Sequence, residues 1–266
     1  MQIWLSLFLF STLTWANCDF QSKLKGIYSL SGPVTTGLSE IGLHRSSKLK
    51  GISSFYTGID KNFQGDRIPG GSLLSPVTVR SLEPGIVFFD ESQEMEKILR
   101  SFGKGLVLKK ISTRNLTPVE VTQVVSKVLD SVTSDCGPKL REFQKSVESL
   151  QGEILLKIPE KFDVVFFLGS FEGASSPNLV MAQDGFVKWL KKDKRVKTYP
   201  TELAYVPWSA KILKGEMKGA YQIGLVDGPD PKCIKHDPKK YTCHFPRALT
   251  PGIDQLRALR FILDQI

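Results

Sequence analysis

The sequence predicts an α/β fold in two lobes, each built on a parallel sheet, with one long helix joining them. Three observations carry this reading. Strand-like and helix-like segments alternate from residue 25 onward, the order that produces parallel sheets covered by helices. A run of helical periodicity from Pro138 to about Ile158 interrupts the alternation, and a second alternating series starts at Phe162. A chain of 266 residues is also long enough for two domains of ordinary size.

The elements follow in order. Gly26 to Leu30 reads as a short strand, and Ser31-Gly-Pro33 opens a helix through Leu43. Proline sits there in the first turn, where its missing N–H costs nothing. Leu49 to Tyr56 is a second strand, and Ser75-Pro76 caps a short helix that stops before Pro84. Gly85 to Asp90 (GIVFFD) is an apolar run of the buried-strand type. Glu94–Phe102 reads as helix and Gly105–Lys109 as strand. Thr117, Pro118 and Glu120 form a capping box, and the helix it opens carries Val121, Val124, Val125, Val128, Leu129 and Val132 on one stripe. From Pro138, Leu140, Phe143, Val147, Leu150 and Ile154 recur at spacings of three and four. A helix of about twenty residues spans roughly 30 Å, so this one is either a surface helix of a single domain or a rigid strut between two.

The second series repeats the pattern. Phe162 to Gly169 is a strand that runs into a small-residue loop from Ser170 to Pro177. Lys188 to Lys197, with Phe186, Trp189 and Leu190 at helical spacing, reads as a basic amphipathic helix with a solvated face. A short helix around Trp208–Lys214, a strand from Ala220 to Val226 and a polar loop holding Cys233 and Cys243 follow. Thr250-Pro251 starts a final helix with Leu256, Leu259, Ile262 and Leu263 on one stripe.

Residues 1–16 contain no Asp, Glu, Lys or Arg. Their apolar run of about a dozen residues is too short to span a bilayer but suits a secretory signal peptide. Thr14 and Ala16 place small residues three and one before a cut after Ala16. A lipid anchor on Cys18 is the weaker alternative, because Trp-Ala-Asn precedes it. Four cysteines fit an oxidising compartment. Cys233 and Cys243 favour a loop-closing bridge, which leaves Cys18 with Cys136, although three connectivities stay open. No CxxC pairs support a zinc site. The net charge of +9 fits an anionic ligand or surface, or simple solubility, and no nucleic-acid motif accompanies it.

Catalytic chemistry finds little support. The three histidines, His44, His236 and His244, lie in a turn and a charged loop. Gly169-Ser170-Phe171-Glu172-Gly173 has the wrong spacing for a nucleophile elbow, and no phosphate loop or zinc-protease motif is present. Asp90-Glu91, at the end of an apolar strand, is the best acidic pair, placed where α/β folds hold ligands. An α/β hydrolase or transferase using that pair is the enzyme alternative; the expectation is no enzyme and no cofactor.

Short motifs in order carry a family resemblance. Ser29-Leu30-Ser31 with Thr35, Ile41-Gly42-Leu43, Lys50-Gly-Ile-Ser-Ser-Phe-Tyr56, Ile68-Pro-Gly-Gly71, Leu82-Glu-Pro-Gly-Ile-Val87 and Arg247-Ala-Leu-Thr-Pro-Gly252 occur in sequence. Together they resemble the helical-backbone class of periplasmic solute-binding proteins, which serve ABC importers for vitamin B12, ferric siderophores and heme. The resemblance implies two Rossmann-like lobes: a leader at 1–16, an N-terminal lobe at 17–136, an inter-lobe helix at 137–158 and a C-terminal lobe at 159–266. It implies capture of a metal chelate or corrinoid-like ligand by a periplasmic monomer, with an importer permease as partner and no nucleic acid. Carried over position by position, Ser31, Ser54, Tyr56, Asp90 and Glu91 line the first lobe, and Ser170, Phe171 and Trp208 face them from the second. Two departures stand out. Cleft tryptophans of the B12 binders are missing near Gly70-Gly71 and Asp90. Val77, and Ala210 or Lys211, stand where importer-feeding members present docking glutamates. A repurposed binding or sensing protein without a transporter is therefore the alternative.

Overall fold

The structure, a computed structural model, describes residues 18–56, 63–113, 115–171, 179–181, 185–199, 205–207 and 219–266. The expected leader and the helix expected around Trp208–Lys214 lie outside the described residues. The first half runs β1 (Asp19–Phe20), β2 (Ile27–Ser29), α1 (Gly32–Glu40), β3 (Leu49–Ser53), β4 (Asp66–Ile68), α2 (Pro76–Ser81) and β5 (Gly85–Asp90). It continues through α3 (Gln93–Phe102), β6 (Leu106–Ile111), α4 (Pro118–Asp130) and β7 (Thr133–Ser134). The sheet order is β4-β3-β2-β5-β6, and every pairing in it is parallel.

Strand alternation sends side chains to opposite faces. Ile27, Ile86 and Phe88 therefore enter one core with Val34 and Leu38 of α1. Tyr28, Val87 and Phe89 enter a second core with Val79 of α2 and Met95 and Leu99 of α3. The helix starts behave as their sequences predict. Ser75 Oγ accepts the Thr78 N–H at 3.1 Å. At α4 the Thr117 N–H donates to Glu120 Oε2 at 2.7 Å, and Thr117 Oγ1 accepts the Glu120 N–H at 3.5 Å.

The long helix α5 spans Gly137–Lys157 and buries Leu140, Phe143, Val147 and Ile154. Both of its ends are held. Cys136, its N-cap, is disulfide-bonded to Cys18. At the other end the Arg195 guanidinium donates to Leu155 O at 2.7 Å and Ile158 O at 3.0 Å, satisfying carbonyls that the last turn leaves open.

The second half contains β8 (Phe162–Leu168), β9 (Leu179–Met181), α6 (Gly185–Leu190), β10 (Val196–Thr198) and β11 (Tyr205–Pro207). β12 (Tyr221–Asp227), β13 (Lys232–Asp237), β14 (Lys240–Phe245) and α7 (Ile253–Leu263) complete it. Its sheet has the order β11-β9-β8-β12-β14-β13, with β10 also paired to β8. The centre is parallel, as expected, whereas β9, β11 and β13 join antiparallel, so this sheet is mixed at its edges.

Two local expectations are corrected. Lys188–Lys197 is not one helix, because α6 stops at Leu190 and Val196–Thr198 pairs with β8. Asp193 Oδ1 accepts both the N–H and the Nε–H of Arg195, at 2.9 and 3.0 Å, which closes a turn in the middle of the basic run. The polar segment around Cys233 and Cys243 is a hairpin rather than a loop. The two cysteines face each other in register and are disulfide-bonded. Lysines on an edge strand give it the composition of a loop. Finally, α7 returns across the molecule: Arg260 pairs with Glu153 of α5 at 2.6 Å, and Arg257 with Glu40 of α1 at 2.7 Å. One continuous apolar core consequently joins residues of both sheets.

Candidate functional site

Parallel strands of both sheets end at one cleft of about 360 Å³. From the first half, Leu30, Gly32 and Pro33 follow β2, Ser53, Phe55 and Tyr56 close β3, and Gly70 and Gly71 follow β4. Asp90, Ser92 and Met95 enter from the end of β5. The opposing wall is Asp227 at the end of β12, with Leu249, Thr250 and Pro251 after β14. Crevices at strand carboxyl ends are where α/β sheets hold ligands. A second hollow, about 500 Å³ around His44, Lys50, Asp66 and Glu83, lies at the opposite, amino ends of the strands. Gly70 lets the segment after β4 lie close against the end of β3: a Cβ there would lie 2.9 Å from Ser53 Oγ and 3.3 Å from the Phe55 ring.

Strand register positions Asp90. Ser29 pairs with Phe88, so Asp90, two residues further, arrives beside Ser31 and the N-terminus of α1. No acidic residue occupies α1's own first turn, and a carboxylate is favoured at such a helix end. Burial raises the Asp90 carboxyl above its usual range, and the neighbouring Ser31 hydroxyl and Gly32 N–H oppose that shift. Neither Asp90 Oδ1 nor the wholly buried Ser31 hydroxyl has a partner in hydrogen-bonding geometry. Across the cleft, Asp227 Oδ1 accepts the Leu249 N–H at 3.1 Å. Partial desolvation raises this carboxyl too, against the Leu249 and Ala248 N–H groups and the Arg247 charge.

Tyr56 belongs to a buried polar network that ties the two halves together. Its hydroxyl accepts from Arg247 Nη1 at 2.8 Å and shares a 3.0 Å hydrogen bond with Thr36 Oγ1. Thr36 Oγ1 donates to Asp254 Oδ2 at 2.5 Å, and Arg247 Nη2 pairs with Asp254 Oδ1 at 3.1 Å. The guanidinium also lies 5.1 Å over the Tyr56 ring. Burial and then the Asp254 charge push the Tyr56 phenol well above its usual range, with Arg247 opposing. Asp254 is completely buried, and burial raises its carboxyl against the pull of Arg247, Thr36 and Arg257. Arg247 reaches this position with φ of 62°, a left-handed conformation unusual for a residue with a Cβ.

The expected site residues thus divide. Asp90 and Tyr56 line the cleft, and Ser31 lies between two lining residues, beside Asp90. Ser54 is exposed, and its neighbour Ser53 lines the cleft instead. Glu91 is exposed and accepts from Ser112 Oγ at 2.8 Å. Phe171 packs away from the cleft, its ring 5.2 Å from Phe167, while its N–H donates to Thr242 Oγ1 at 3.0 Å. Ser170, two residues beyond the end of β8, is half-buried and is not among the lining residues. Trp208, with Ala210 and Lys211, lies outside the described residues. Val77 is 74% exposed in the first turn of α2. Sequence reasoning missed Asp227, Leu249–Pro251 and the Arg247–Asp254 pair. Asp227 did carry the available signal, an acid closing an apolar strand, as Asp90 does.

Two lobes, a long intervening helix and a cleft at the strand ends are the fold of the helical-backbone periplasmic solute-binding proteins. Solved structures make the likeness concrete. A periplasmic heme-binding protein of Vibrio cholerae superposes with a TM-score of 0.64 at 15% identity, over 90% of this chain and 97% of that one. A periplasmic vitamin B12-binding protein of the same organism gives 0.62 at 13% identity, over 91% and 98%. An iron-binding solute-binding protein described as possible, from Staphylococcus epidermidis, gives 0.64 at 16% identity, over 91% and 98%. No protein-family model matches the sequence, and no curated protein matches it.

Proposed function

We propose that this chain is a periplasmic solute-binding protein that captures a metal chelate, a corrinoid or a siderophore-like ligand between its lobes for an ABC importer. The cleft at the joint carboxyl ends of both sheets carries this reading. Leu30, Pro33, Phe55 and Met95 supply apolar area, and Ser53, Ser92 and Thr250 supply hydroxyls to orient a ligand, the composition of a binding pocket. In this reading the lobes are residues 17–136 and 159–266, and catalysis plays no part. The test is native mass spectrometry of protein purified from its source, with iron and cobalt analysis, followed by thermal shift across siderophores, heme and corrinoids. A retained ligand, or a rise in melting temperature, is expected. No retained ligand and no shift with any of them overturns the proposal.

A second reading, binding or sensing without a transporter, has one observation in its favour: an exposed apolar Val77 at the first docking position. Stimulation of an importer's ATPase by the wild-type protein excludes it. Stimulation that appears only with Val77→Glu supports it.

A further inference from the structure

The protein is strongly basic, with 36 Lys and Arg against 27 Asp and Glu. Yet among the described residues not one lysine or arginine lines the cleft. Its charged lining groups are Asp90 and Asp227, delivered to opposite walls by β5 and β12. The Arg247 charge opposes the shift of Asp227, but its guanidinium hydrogen-bonds Tyr56 and pairs with Asp254 and does not line the cleft. Asp90 stands beside the Ser31 hydroxyl and the Gly32 N–H, with no cation of the described lining next to it. Apart from the carboxylates the lining is uncharged: apolar Leu30, Pro33, Phe55, Met95 and Pro251, with the hydroxyls of Ser53, Ser92 and Thr250 among them.

We propose that the cleft selects a ligand bearing positive charge on an apolar body, with Asp90 and Asp227 as its two anionic contacts. This rests on the binding-protein reading above and narrows it. An anionic ligand entering here meets two like charges in a partly desolvated space, an arrangement that discriminates strongly against it. A cation is attracted by both carboxylates and can donate a charge-assisted hydrogen bond to each. The net positive charge of the chain then serves solubility or encounter, and among the described residues the cleft lining presents the opposite sign.

Three probes test this by isothermal titration: a ferric trihydroxamate bearing a free ammonium group, an anionic ferric tris-catecholate, and hemin with its two propionates. The expected result is at least tenfold tighter binding of the ammonium-bearing probe than of either anionic one. Asp90→Asn and Asp227→Asn should each weaken that probe about tenfold, roughly the loss of one charge-assisted contact. They should leave any anionic binding unchanged or stronger. Asp227→Asn, at the exposed rim, keeps the test valid if the inner variant fails to fold. Equal or tighter binding of an anionic probe, or unchanged affinity in the aspartate variants, overturns the charge assignment and leaves the binding reading standing. Failure of all three probes in the wild type counts against the binding reading itself, and this inference falls with it.

Discussion

Tyr56 illustrates how a residue chosen for one role takes another. Its place after β3 puts it at the cleft, but its hydroxyl is held by Thr36 and by Arg247, 191 residues further along the chain. Tyr56→Phe should lower stability by about 1–2 kcal/mol, since Arg247 loses one acceptor and keeps Asp254. Asp254→Ala should cost more, about 3–5 kcal/mol, because it strands a partly buried guanidinium. Denaturant unfolding of both, and of the double variant, checks the coupling; strictly additive losses would exclude a network. Asp193 gives a pH prediction. Hydrogen bonds from Arg195 hold its carboxyl at about 2, below the ordinary 3.8. A lowered carboxylate stabilises the fold above its unfolded value and loses that contribution as pH falls. The wild type should therefore lose stability between pH about 4 and about 2 through this group, and Asp193→Asn should flatten that part of the acid limb. An unchanged acid limb would show that the turn does not use the charge.

At the scale of elements, the helix α5 was readable and its fastenings were not. Apolar spacing sufficed for Leu140, Phe143, Val147 and Ile154, because a helix face is a local pattern. The Arg195 clamp was hidden, since it depends on a basic run breaking into a turn and an edge strand. Local spacing favoured a helix there; pairing of Val196–Thr198 with β8 overrode it. The disulfides differ in reach. Cys18–Cys136 closes 118 residues and Cys233–Cys243 closes 10. By loop-closure entropy, replacing Cys18 and Cys136 by serine should cost about 5 kcal/mol, against about 3 kcal/mol for the hairpin pair. Unfolding midpoints of the two double-serine variants measure the order; a larger loss from the hairpin pair would reverse this account.

For the whole molecule, the fastenings predict limited motion. α5 is held at both ends, α7 is paired with α1 and α5, and the Tyr56–Thr36–Asp254–Arg247 network lies beside the cleft. Closure around a ligand would have to break the contacts that join the halves, the Arg257–Glu40 pair and the network of Tyr56, Thr36, Asp254 and Arg247, so small-angle scattering should show the same radius of gyration with and without a bound probe. A variant carrying Tyr56→Phe and Arg247→Ala should show a ligand-dependent change. A large contraction of the wild type would mean that the network does not hold the lobes.

Local pattern alone determined the succession of strands and helices, the caps at Ser75 and Thr117, the apolar stripe of α5 and the carboxylate at the end of β5. Each depends on neighbours within a few residues. The order of short motifs, read together, also pointed to the two-lobed fold. Tertiary structure alone decided that Asp227 faces Asp90, that Ser53 rather than Ser54 lines the cleft, and that Tyr56 is locked to Arg247. These depend on strand register and on contacts between segments far apart in the chain. A one-residue change of register turns a side chain to the other face, and residue spacing does not fix which distant loops share a cleft.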